Sequence, residues 1–123
     1  MEENKQIATE FMKQVVAGNI DEAYKKYVNL QGKHHNIFFS AGFSNLKKAM
    51  KDNNEQMPIK ELTIKNVLCD NDLVAVHSNL IFNKGETDMI TFHLFRIKNK
   101  KIIEMWDCGQ IIKPNSPNKD GAF

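Results

Sequence analysis

The chain has 123 residues, near the common size of one domain and too few for two. Hydrophobic residues make up 41% and charged residues 26%, ordinary globular usage that excludes disordered, collagen-like and disulfide-dense classes. Seventeen Lys plus Arg against fifteen Asp plus Glu leave a net +2, too weak a field to recruit a polyanion, so neither nucleic acid nor a membrane surface is an expected partner.

From Asn4 to Val16 the residues Ile7, Ala8, Phe11, Met12, Val15 and Val16 recur at spacings of three and four, which predicts an amphipathic helix stopped by Gly18. Asn19 or Asp21 is the expected cap of a second helix from about Ile20, with Ala23, Tyr24 and Tyr27 as its apolar stripe. Gln31 to Phe43 has no clean period and reads as an ordered loop with buried side chains. Ser44 to Met57 suits a third helix, capped by Ser44 and closed before Pro58. The basic residues Lys47, Lys48 and Lys51, like Lys98, Lys100 and Lys101 further on, lack interleaved aromatics and read as solvated faces.

After Pro58 the period changes to two, with β-branched residues and turn punctuation. Strands are expected over Ile59 to Cys69, Leu73 to Phe82, Met89 to Ile97 and Lys101 to Ile112. Their turns fall at Asp70 to Asp72, Asn83 to Glu86 and Lys98 to Lys100. The remainder, 113–123, is an irregular tail expected to cover a pocket mouth or a partner subunit. Helices followed by antiparallel strands predict a single α+β domain over 1–123, its helices on one face of a curved sheet. No run approaches the ~20 apolar residues of a membrane span. Met1 to Gln6 lacks the basic start of a secretory signal, and Cys69 and Cys108, outside any CxxC pair, read as free thiols. A cytoplasmic protein is expected.

Residues two apart in a strand share a face. On the third strand Met89, Thr91, His93, Phe95 and Ile97 share one side, and on the fourth Ile103, Met105, Asp107, Gly109 and Ile111 do. With His77 assigned to the same helix-facing side, His77, His93 and Asp107 become ionisable groups among apolar neighbours, as in a core pair or a functional cavity. Phe92, Leu94 and Trp106 fall on the opposite side, where an exposed apolar patch points to a homodimer across the outer sheet.

Several segments carry a resemblance. Asp72 to His77 (DLVAVH), His93 to Arg96 (HLFR) and Lys101 to Asp107 (KIIEMWD) are similar to the sheet motifs of the SnoaL-like polyketide cyclase branch of the nuclear transport factor 2-like superfamily. The loop through His34, His35 and Asn36 resembles that branch's "HNP" segment, and Asn118 to Phe123 (NKDGAF) resembles its "NxxGMF" ending. Ile37 stands where the loop usually has proline, and Lys100 where the last hairpin usually has glycine. The resemblance implies a cone-shaped α+β barrel with an internal pocket, a dimer across the outer sheet, and one more short strand near His34 to Phe39. It also implies proton transfer next to a carbonyl without metal or organic cofactor, with Asp107 and His35 as the matching positions.

The chemistry of such a step needs a base near its working pH and a donor for the developing enolate oxygen. Asp107, with its pKa expected to be raised by an apolar cavity, is the candidate proton shuttle; His93 and His77 are candidate donors, and His35 is expected to close the pocket from the loop. Phe11, Tyr27, His34, Phe38, Phe39, Met89, Phe95 and Met105 are the expected lining. No metal is expected, since adjacent His34 and His35 do not converge on one ion and the interval from His77 to His93 matches no zinc pattern. Two functions remain open at this stage: a cofactor-free cyclase or isomerase acting on a small carbonyl compound, or a non-catalytic module that binds a small apolar ligand or a protein through the same cone.

Overall fold

A computed structural model describes residues 2–85 and 87–123, apart from the side chains of Lys60 and Lys84. Its elements in chain order are α1 (Glu2–Val16), α2 (Ile20–Tyr27), β1 (Val28–His34), α3 (Phe43–Gln56), β2 (Ile59–Asp70), β3 (Leu73–Phe82), β4 (Thr87–Lys98) and β5 (Lys101–Ile111). A 3-10 turn over Asn83–Gly85 joins β3 to β4. The fourth residue of that expected turn, Glu86, lies outside the described residues.

The α1 helix buries Ile7, Ala8, Phe11 and Met12 and carries Glu2 and Glu3 in its first turn and Lys13 near its end, charges that complement the helix dipole. It ends in a Schellman motif: the Gly18 N–H donates to Val15 O at 3.1 Å and the Asn19 N–H to Gln14 O at 2.9 Å. That motif needs a left-handed residue, and Gly18 supplies it at φ 90°. At the end of α2, Lys101 Nζ donates to Lys25 O at 3.0 Å and Lys26 O at 2.7 Å, tying the helix to the start of β5. The α3 helix begins one residue before the expected cap: Gly42 occupies the cap position, and Phe43 is fully buried.

The sheet order is β1-β5-β4-β3-β2, strongly curled, with β1 parallel to β5 and every other pair antiparallel. The helices lie on its concave side. Phe11 meets Tyr24 and Phe95 edge-on at 5.3 and 6.0 Å, and Tyr24 meets Phe43 at 6.3 Å, forming the aromatic centre of the core.

Two sequence expectations change here. Part of the segment read as a loop is the strand β1, and the extra strand implied by the resemblance ends at His34 rather than lying between His34 and Phe39. Beyond it Ile37 and Phe38 stand 90% and 85% exposed. The strand escaped the pattern because its ladder shifts between Val28 and Lys33. Within that stretch a Cβ on Gly32 would collide with Ile103 O and sit 2.9 Å from the Phe43 ring, so only glycine fits the approach. The second change concerns β5. Ile97 pairs with Ile102 but Arg96 with Glu104, so a bulge puts Ile102 in the core and removes Ile103 from the inward row.

Lys98 pairs with Lys101, and the two residues between them, Asn99 and Lys100, have φ 50° and 64°. A two-residue hairpin of this kind calls for left-handed residues, which explains why glycine suits position 100 better than lysine. Lys100→Gly is expected to stabilise the protein by roughly 0.5–1 kcal/mol, a gain that urea denaturation would register as a higher midpoint with an unchanged slope.

Candidate functional site

In the register of β4 with β5, His93 lies directly opposite Asp107, and Phe95 opposite Met105. Directly paired residues share a face and lie about 5 Å apart at Cβ, so His93 and Asp107 sit side by side on the concave wall. They border a cavity of about 220 Å³. Phe11, Met12 and Val16 of α1, Leu46, Met50 and Asn54 of α3, and Leu80 and Phe82 of β3 close it from the other sides.

One further polar side chain enters from the segment after β1. Asn36 Nδ2 donates to Asp107 Oδ2 at 3.1 Å, while its Oδ1 accepts the Phe38 N–H at 3.0 Å. His34 braces the same loop: its Nδ1 accepts the Asn36 N–H at 3.2 Å, which leaves Nε2 to donate to Ser40 O at 2.8 Å. Asp107 therefore has one oxygen fixed. Its other oxygen, Oδ1, is buried and makes no hydrogen bond among the described residues, and the same holds for His93 Nδ1. Buried polar atoms without partners are rare in folded proteins, and here two belong to neighbouring residues that line one cavity.

The structure brings together Asp107, His93, Phe11, Phe39 and Met105 of the residues singled out from sequence. His77 is on the other side of the sheet. Its cross-strand partner is Phe92, its ring stacks on Phe92 at 4.5 Å, and its Nδ1 accepts from Asn66 Nδ2 at 3.1 Å. His35 also points outward: its Nε2 donates to Glu104 Oε2 at 2.6 Å and its ring stacks on Trp106 at 5.0 Å. Glu104 in turn accepts from Arg96 Nε at 3.3 Å, and Arg96 pairs with Asp72. Neither histidine reaches the cavity, since strand alternation puts both on the convex face. Of the expected lining residues, His34 and Phe95 are buried in the core, Tyr27 and Met89 are half-buried outside the cavity, and Phe38 projects into solvent. The tail crosses the outer sheet: the Phe123 ring lies 5.7 Å from the His77 ring, with Lys65 Nζ 4.8 Å above Phe123.

Asn36 is the site residue that sequence reasoning missed. The alternation of β1 continues past its end, so that His34 points in, His35 out and Asn36 in; that alternation was the available signal. Among the described residues, no three His, Cys, Asp or Glu side chains converge to hold a metal ion, and no helix is long and apolar enough to cross a membrane.

A candidate ketosteroid isomerase from Kribbella flavida matches the structure with a TM-score of 0.76 at 12% identity, over 98% of this chain and 87% of that one. An M. tuberculosis LEH-like epoxide hydrolase matches with a TM-score of 0.75 at 13% identity, over 89% and 84%. A candidate SnoaL-like polyketide cyclase from Mesorhizobium loti matches with a TM-score of 0.65 at 20% identity, over 84% and 96%, alongside proteins described only as NTF2-like. The chain has the nuclear transport factor 2-like fold. No protein-family model matches it, and no curated protein matches it in sequence. The likeness is one of fold, and this fold carries several chemistries, so the site must decide the function.

Electrostatics separate the two faces of this fold. Burial lowers the His93 pKa from its usual 6.5, outweighing the nearby Asp107 carboxylate, which acts to raise it. Buried Tyr24, whose hydroxyl donates to Met50 Sδ at 3.1 Å, has its pKa raised by burial and, secondarily, by the charge of Asp107. On the convex face the hydrogen bond from His35 lowers the Glu104 pKa, opposed by desolvation and helped by Arg96. The folded protein holds His93 neutral in a range where the unfolded chain takes up a proton, so His93 lowers stability as pH falls below about 6.5. Glu104 acts separately: its contribution is present above 4.5 and lost as pH falls through its lower folded value. Chemical denaturation between pH 7 and pH 5 is expected to show a falling midpoint in the wild type and a shallower fall in His93→Gln.

Proposed function

We propose that the protein is a cofactor-independent acid–base enzyme of the isomerase or aldol-cyclase type, acting on a small carbonyl compound. The observation that carries this reading is the pair of buried, unpartnered atoms, Asp107 Oδ1 and His93 Nδ1, on adjacent strands of the cavity wall. A substrate carbonyl oxygen would accept the hydrogen bond of His93 in its Nδ1–H tautomer. Asp107 Oδ1 then removes a proton from the neighbouring carbon, and the electron pair moves into the enolate whose oxygen His93 holds. Asn36 keeps the second carboxylate oxygen in place, so the base does not turn away. Return of the proton to a different carbon gives an isomer; attack of the enolate carbon on a second carbonyl closes a ring, with the proton passing to the new alkoxide. Either course restores Asp107. The similarity in fold to a candidate ketosteroid isomerase and a candidate polyketide cyclase supports the reaction class.

One observation favours a non-catalytic binding module. Met12, Met50, Met57 and Met105 all line the cavity, and flexible thioethers suit walls that adapt to varied ligands. Proton exchange separates the two readings. In D2O the wild type is expected to accelerate loss of the α-proton signals of a small cyclic ketone, followed by proton NMR. Asp107→Asn, folded by circular dichroism, should lower that rate at least 100-fold. A ketone that binds while its α-protons exchange no faster than in buffer would assign the module.

The outer sheet is proposed as the contact between two copies, and the protein as cytoplasmic, a location that the free thiols Cys69 and Cys108 support. Phe92 is 49% exposed on that face, with Leu94 and Trp106 on the same side and Leu68 also exposed. Sedimentation velocity should give a dimer for the wild type and a shift toward monomer for Phe92→Lys. A monomeric wild type would remove the interface.

A further inference from the structure

We infer that the cavity takes an uncharged molecule of a single ring or short branched chain, about ten non-hydrogen atoms, with one hydroxyl or ketone oxygen at its inner end. Charged molecules and fused polycycles are excluded. The placing of that oxygen rests on the acid–base reading above; the limits on size and charge rest on the cavity alone.

Size comes first. The cavity measures about 220 Å³, below the ~300–1,000 Å³ of pockets for drug-sized ligands. A dry protein cavity of about 150 Å³ holds benzene, so this one has room for roughly three or four more atoms than that six-atom ring. The four methionine side chains let its shape adjust, while the sheet and the α1 and α3 backbones limit the total space.

Charge narrows the class further. Among the described residues no Lys or Arg borders the cavity; Asp107 and His93 are its ionisable groups, and burial favours the neutral form of His93. An anion would lose its hydration, meet no cation and lie beside a carboxylate. An ammonium would find Asp107, but Asn36 already competes for that carboxylate and the walls around it are apolar, so its three donors would give up more hydration than the site replaces. A hydroxyl fits better. It donates to Asp107 Oδ1 and accepts from His93 Nδ1, satisfying both buried atoms at once, and a ketone uses the second of these contacts. At the other end the amides of Asn53 and Asn54 border the cavity without hydrogen bonds of their own among the described residues, so the mouth is polar and uncharged.

The methionines also provide the test. With 13C-labelled methionine methyl groups, Met12, Met50, Met57 and Met105 report on the cavity, and Met89, which lies outside it, is the control. The full chain is titrated with 4-isopropylcyclohexanone, 4-isopropylcyclohexanol, cyclohexanecarboxylate, cyclohexylammonium and a tetracyclic steroid ketone. Both neutral monocycles should shift the four cavity resonances saturably, leave Met89 in place, and bind at least tenfold more tightly than either charged probe; the steroid should shift none. A margin below tenfold, saturable shifts with the steroid, or four unmoved resonances with the neutral monocycles would overturn the inference. The titration reads binding alone. Tight ketone binding without deuterium exchange would defeat the catalytic reading and leave the ligand class standing, whereas catalysed exchange on the steroid would do the reverse.

Discussion

Between the pair Ile97 with Ile102 and the pair Arg96 with Glu104, β5 carries one residue more than β4, and Ile103 is that surplus. Without it the ladder that begins at Lys98 and Lys101 would set His93 against Trp106 and Asp107 against Phe92. Two groups that share a cavity wall would then lie on opposite faces, because a one-residue slip turns every side chain over. Gly32 of β1 comes against the carbonyl of Ile103 itself, so the glycine that no other residue can replace and the bulge that positions the carboxylate are one piece of packing. The site therefore depends on an irregularity in the sheet, supported from the neighbouring strand.

The two faces of the sheet use the same residue types for different ends. On the convex face His35, Glu104, Arg96 and Asp72 satisfy one another, with Trp106 beneath the His35 ring and Arg96 near it. On the concave face the His93 and Asp107 pair is left incomplete, with Asn36 holding only half of the carboxylate. A closed network contributes order. An open one, surrounded by Phe and Met side chains, keeps polar atoms out of water without partners, a state that costs stability and persists where the surrounding packing maintains it.

Much of this was legible in the sequence. The run Leu73 to Phe82 alternates so clearly that its strand bounds follow from pattern alone, and the spacing from Ile7 to Val16 marks the buried face of α1. Asp107 and His93 were recoverable by parity. His77 was not, because its face is decided by how many residues close the β3–β4 hairpin: Phe82 pairs with Thr87, so odd positions meet even ones and His77 meets Phe92. One residue more or fewer in that turn would have reversed it. The segment after Val28 was opaque for a related reason. A shifted register and a glycine break the period of two just where His34, His35 and Asn36 alternate.

The four methionine sulfurs around the cavity give the protein an exposure to oxidants. Met57, 43% exposed at the mouth, is open to attack, while Met12 and Met105 are shielded by the core. Conversion to the sulfoxide would add a strongly polar oxygen to an apolar wall and take up part of a small volume. At Met50 it would also give the Tyr24 hydroxyl a better acceptor than the thioether it now has. Oxidative damage in this protein would thus begin at the entrance and alter the cavity walls before it reached the core.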